Sequence, residues 1–264
     1  NLYKKIPEYQ LLNSSMTLDE FKIIFWWEYI HRLLGRIVGL VYIIPLIYFT
    51  IKKKITITNL LILYFIFFLI CLQGFIGWYM VSSGLTERTD VSHYRLSLHL
   101  TLAFVIFILL VWNYLKITIN YKNNHLSQIP FYLPAFFLIF ILLQISIGAL
   151  VSGLNAGEIY QSWPLMNQNY FPDDSNIKDL FGLNVFENPS LIQFIHRNLA
   201  YLIFLIFIIM LIIVFKNKNL FYLKKNIIIL FAALLLQILL GILTILSGAQ
   251  IILASLHQIG SIFL

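Results

Sequence analysis

Apolar residues run almost unbroken through seven stretches of the chain, at roughly 37–51, 59–81, 98–115, 129–151, 199–215, 226–247 and 250–264, and polar side chains gather between them. Several stretches exceed the ~20 residues that an α-helix needs to cross a bilayer, and the others reach that length with their flanks. None alternates with period two, so a membrane barrel is not expected. The pattern predicts helices at about 27–49, 59–81, 94–115, 130–152, 191–215 and 226–247, and the start of another at 251.

Composition sharpens this into a class. The mean hydropathy is +0.87, 16% of residues are aromatic and only 11% are charged, where a soluble domain carries about a quarter charged residues. The chain therefore reads as an all-α polytopic membrane protein. Its net charge of +7 is sorted along the sequence. Lys52, Lys53, Lys54, Lys116, Lys122, Lys216, Lys218, Lys224 and Lys225 occupy alternate loops that contain no acid, and all 11 Asp and Glu lie in 1–28, 84–92 and 155–190. Short lysine clusters beside membrane spans set topology. They place these loops in the cytoplasm or matrix and the acidic segments outside, and no nucleic-acid partner is expected. Cys71, the single cysteine, sits mid-span and reads as a small apolar filler.

The chain repeats itself. EYIHRLLG (28–35) matches QFIHRNLA (193–200); Gln73, Gly77 and Gly84 match Gln237, Gly241 and Gly248; His99 matches His257; and QISIGALVSG (144–153) echoes the Gln-x-x-x-Gly pattern. The order and near-constant offset predict two pseudo-symmetric four-helix transmembrane bundles in tandem, 1–128 and 129–264. On this reading the first helix is absent and the last is truncated in this chain.

Four histidines carry the chemistry. His31, His99, His196 and His257 each fall in the first turns of a helix that begins outside, whereas His93 and His125 fall at loop-like positions and read as solvated. One turn after each of the four stands a small residue, Gly35, Ala103, Ala200 or Ser261, on the same face. That clearance suits a flat macrocycle, and two histidines per bundle suit bis-imidazole ligation of a haem iron. A histidine that only hydrogen-bonds across helices is the alternative. Zinc is another, but no cysteine or carboxylate completes a ligand set in the second bundle. Arg32 and Arg197 directly follow their histidines and Arg95 precedes His99 by one turn. Their guanidinium groups can pair with haem propionates or snorkel to lipid phosphates, and Arg36 is open to both. Glu28 stands three residues before His31 where the second bundle has Gln193. It reads as a carboxylate beside one site only, able to serve proton chemistry, with pairing to Arg32 at i+4 as the alternative.

The segments EYIHRLLGRIVGL (28–40), QGFIGWYMVSSGL (73–85), YRLSLHLTLAF (94–104), GLNAGEIYQSWPLMNQNYFP (153–172), FIHRNLAYLIF (194–204) and LASLHQIGS (253–261) resemble the haem A synthase family of cytochrome oxidase assembly, in its cysteine-free proteobacterial and mitochondrial branch. The resemblance implies an enzyme that oxidises the C8 methyl of haem O to a formyl group by two hydroxylations and loss of water. It implies that His196 and His257 are axial ligands of a b-type haem cofactor. It implies that His31 and His99 line the substrate-haem site, with Glu28 essential beside them. It further implies an inner membrane, bacterial or mitochondrial, with the histidines near the outer side. The substrate would come from a haem O synthase; the electron donor, the oxygen source and a homo-oligomeric state are left open. The polar loop 155–190 is expected either to cover a haem edge or simply to connect. A di-haem electron-transfer cytochrome b and a repeat-built transporter are the rival classes.

Overall fold

The computed structural model describes residues 3–84, 90–118 and 132–264. His125 and Lys122, and Glu87 among the acids, lie outside the described residues. Among the described residues eight α-helices follow in order: α1 (Pro7–Leu11), α2 (Leu18–Ile51), α3 (Ile57–Gly84), α4 (His93–Thr118), α5 (Tyr132–Gly153), α6 (Pro189–Lys216), α7 (Lys224–Leu246) and α8 (Ile251–Gly260). Among the described residues the only extended pairing is an isolated bridge between Met166 and Asn169. Helices α2 to α7 are long and apolar enough to cross a membrane. At most 22% of any such span is buried inside the protein, so most of its apolar side chains face outward, as lipid-facing helices require and water-soluble ones do not tolerate. The chain is a multi-pass membrane protein.

The helices start and stop where local chemistry dictates. Helix α2 begins well before the expected residue 27, because Thr17 and Glu20 form a reciprocal capping box ahead of the apolar run. Its 34 residues span about 50 Å at 1.5 Å per residue, which exceeds the ~30 Å hydrocarbon layer; the polar first turns therefore stand outside it. Helix α6 opens with Pro189, and the Asn188 side chain accepts from the amides of Ser190 and Leu191 at 2.9 and 3.1 Å.

The chain divides into two compact units, Asn1–Ile119 and Asn120–Leu264. In the second, α5 packs on α6, α6 on α7 and α7 on α8. Its core joins Phe137 and Ile141 of α5 to Ile203, Phe207 and Val214 of α6 and Ile227 and Leu234 of α7, with Leu220 from the connector. The Phe207 ring stacks on Phe231 at 5.7 Å. In the first unit α2 packs on α3 and α3 on α4 around a smaller core of Ile66, Leu69 and Ile106. By the repeat, Val38, Tyr42 and Ile70 correspond to Ile203, Phe207 and Leu234. In the second unit those positions are buried in a cluster that includes Phe137 and Ile141. In the first they line a wholly apolar open groove of about 270 Å³.

Two sequence expectations change here. His93 is the first residue of α4 rather than part of a loop, and its side chain is buried against Tyr94 at 4.1 Å between ring centroids. Cys71 lies on the outward face of α3 and fills no core position.

Candidate haem-binding histidine sites

In the second unit His196 from α6 and His257 from α8 face each other, with ring centroids 6.5 Å apart and planes at 84°. A metal–imidazole bond of about 2 Å places two imidazoles on opposite faces of one metal at roughly 6 to 6.5 Å between centroids. The observed pair has this separation. The His257 Nδ1 lies 3.1 Å from the Gln237 carbonyl, a bond that fixes the tautomer with Nε2 available as a ligand. The His196 Nδ1 is buried without a hydrogen-bond partner, and its Nε2 meets the Gln144 amide nitrogen at 3.3 Å. Among the described residues no cluster of three or more His, Cys, Asp or Glu forms a metal site. The histidine pair thus fits a metal whose remaining ligands arrive with a macrocycle.

In the first unit His31 on α2 and His99 on α4 lie within electrostatic reach of each other, and the His99 Nδ1 is also buried without a partner. Glu28 does not stand free beside them: its Oε2 accepts from Arg32 Nη2 at 2.7 Å. Arg95 lies over the Tyr79 ring at 4.8 Å.

What gives the rings room is on the neighbouring helix. A Cβ built on Gly77 would stand 2.9 Å from His99 Cε1, on Gly148 3.0 Å from His196 Cε1, and on Gly241 2.9 Å from His257 Cε1. Of the four small residues at i+4, Gly35 has open space where a side chain would stand. The recurring Gln-x-x-x-Gly was the signal that marked Gly77, Gly148 and Gly241. No described glycine faces His31 in this way. Overpacking costs about 1–3 kcal/mol where neighbours cannot yield, so Gly241→Ala is expected to lower the thermal unfolding temperature of the purified protein. An unchanged transition would show that the His257 ring slides away freely.

Arg197 is engaged by the chain's own backbone. It is 6% exposed. Its Nη1 donates to the carbonyls of Ser162 and Leu165 at 2.8 and 3.3 Å, and its Nη2 to that of Tyr160 at 2.9 Å. Gln193 Nε2 donates to the same Tyr160 carbonyl at 3.1 Å. The Glu28/Gln193 difference therefore has a local reason, because an amide can donate to a carbonyl and an ionised carboxylate cannot. The Arg197 Nε is buried without a hydrogen-bond partner, which leaves its N–H available to a ligand.

These contacts make the 154–188 segment an ordered cap. Met166, Tyr160 and Ala156 are buried, Trp163 Nε1 donates to the Tyr201 hydroxyl at 3.1 Å, and Tyr170 bonds Asn198. Tyr160 also donates to Asp173. Burial, and then the Asp173 carboxylate, push the Tyr160 phenol up to about 12, while the same hydrogen bond holds the Asp173 carboxyl below its usual range. The pair keeps its proton on the tyrosine throughout the neutral range.

The sequence profile of the cytochrome oxidase assembly protein family matches residues 1–264. The chain belongs to this family. A relative from Pelagibacter ubique named "Heme A synthase" is 51% identical over 264 residues, covering 98% of this chain and 76% of its own length. Relatives of the same name from Rhizobium etli and Rickettsia felis are 42% and 44% identical, covering 99% of this chain and 71% and 78% of their own. No solved structure matches.

Proposed function

We propose that this chain is a haem A synthase, a membrane oxidoreductase that converts the C8 methyl of haem O to a formyl group by successive hydroxylations. The observation that carries the reading is the His196–His257 pair, at the separation of two imidazoles on one metal, in a chain 51% identical to a protein of that name. On this reading residues 129–264 form the domain that holds a b-type haem through His196 and His257, and residues 1–128 form the domain that receives haem O at His31 and His99.

When bound, the cofactor haem supplies one-electron chemistry. The chain's own residues do the rest. The two imidazoles hold the cofactor from helices α6 and α8. Arg197 uses its Nε–H toward a propionate while Nη1 and Nη2 bond the cap's carbonyls. The cap, clamped at the Tyr160 carbonyl, excludes water from the His196 end of α6. Arg32 and Arg95 serve the substrate's carboxylates in the first unit. Glu28 holds or moves a proton beside His31, with Arg32 Nη2 bonded to its Oε2. On this reading the chain lies in an inner membrane, its lysine loops orient it with the histidines toward the outer side, and a haem O synthase supplies the substrate.

The test is pigment extraction from cells that make haem O, lack haem A and express this protein. Haem A in the extract is the expected result. Its absence, with the protein present in the membrane, overturns the assignment.

A further inference from the structure

The same two contacts recur in three helix pairs. Gln73 Nε2 donates to the His99 carbonyl at 2.9 Å, Gln144 to that of His196 at 3.0 Å and Gln237 to that of His257 at 2.7 Å. Four residues after each glutamine, on the same helix face, comes the glycine against which that histidine's ring rests. Packing alone does not call for a long amide inside an apolar span, where polar groups are costly. The cost here is visible, since Oε1 of all three glutamines is buried without a hydrogen-bond partner, and an orphaned buried acceptor is destabilising. The donor end is the part in use, and it is used each time on the backbone of a histidine.

The third pair shows where this leads. The Gln237 side chain grips the His257 backbone while the Gln237 carbonyl takes the ring's Nδ1 at 3.1 Å. Backbone and ring are thus tied to one residue from both ends, and Gly241 sets the plane between them. A partner on the far nitrogen fixes a metal-bound imidazole's orientation and basicity. Gly260 completes the arrangement: a Cβ there would lie 2.4 Å from Gln237 Oε1, so glycine leaves the amide its place.

We infer that Gln237, Gln144 and Gln73 are positioning residues that aim their histidines at the haem iron, each with its glycine as one presenting unit. The inference rests on the haem-binding reading above and adds the parts that set ligand orientation. Loss of such an outer partner typically weakens metal retention about 10- to 100-fold.

The test uses the full chain purified with its haem. Gln237→Met keeps the side chain's bulk and removes its donor; Gly260→Ala displaces the amide without touching a polar atom. Each variant is read for haem retained per protein, for the low-spin electron paramagnetic resonance signal and for the reduction midpoint of the bound haem. Both variants are expected to lose haem about 10- to 100-fold faster and to show altered signals and a moved midpoint. A variant that fails to assemble is replaced by Gln144→Met, for which the same changes at the His196 ligand are expected. Unchanged signal, midpoint and retention in these variants overturn the positioning role while leaving haem binding intact. A parent protein that holds no haem refutes the functional reading itself, so the two failures are distinct.

Discussion

Glu28→Gln is expected to cut haem A formation about 10²- to 10⁴-fold, the usual range for loss of a positioned acid or base, while the haem of the second unit stays bound. The competing account is on the page: Glu28 is half exposed and bonded to Arg32 at 2.7 Å. An exposed i,i+4 pair stabilises a helix by about 0.3–0.5 kcal/mol, too little to explain a large loss of activity through folding. Arg32→Ala breaks the same pair and keeps the carboxylate. If the pair is all that matters, the two variants behave alike and both stay close to the parent. If the carboxylate serves the His31 site, Glu28→Gln loses conversion at every haem O supply, whereas Arg32→Ala, which also loses a substrate contact, is lowered most when haem O is limiting. Conversion assayed on both variants across haem O supply decides between them, and parent-like conversion by Glu28→Gln would end the catalytic reading of Glu28.

His196→Ala is expected to strip the second unit of its haem. A direct ligand is lost, so the effect should exceed the about 10- to 100-fold drop in affinity that loss of an outer partner brings. The fold should survive. Alanine is the best helix former, the Gln144 amide still meets the carbonyl at position 196, and the cap remains held by Gln193 and Arg197. The measurement is the Soret absorbance per protein, paired with a thermal melt. Full absorbance with an unchanged spectrum would remove His196 from the ligand set. Loss of haem from a protein that still melts cooperatively is the outcome the geometry demands.

The sequence made some of this legible and hid the rest for physical reasons. The spans could be read because twenty apolar residues in a row admit little besides a membrane helix, and the histidines because a repeat set them in matched places. The start of α2 was hidden: Asp19, Glu20 and Lys22 break the apolar run, while the Thr17–Glu20 box continues the helix through them. His93 looked like a loop residue because Asp90 and Ser92 precede it, yet the helix begins on it and turns it inward. Arg197 and Gln193 were hidden more deeply. Their partners are the carbonyls of Tyr160, Ser162 and Leu165, and a backbone carbonyl leaves no mark in the sequence. The glycines at 77, 148 and 241 were visible, but which ring each one faces was not.

The three glutamine–glycine–histidine units also say something about how such a chain can grow. Each unit is complete within one helix pair, held by one amide bond and one ring contact across the interface. The connector within a pair ranges from the tight turn at 247–250 to the whole segment 154–188, yet the contact between the helices is the same. Register is fixed by the faces that meet, so the length between them is free. New sequence inserted at such a connector leaves the histidine where it was, and the cap over α6 is what one insertion of that kind looks like once it has folded.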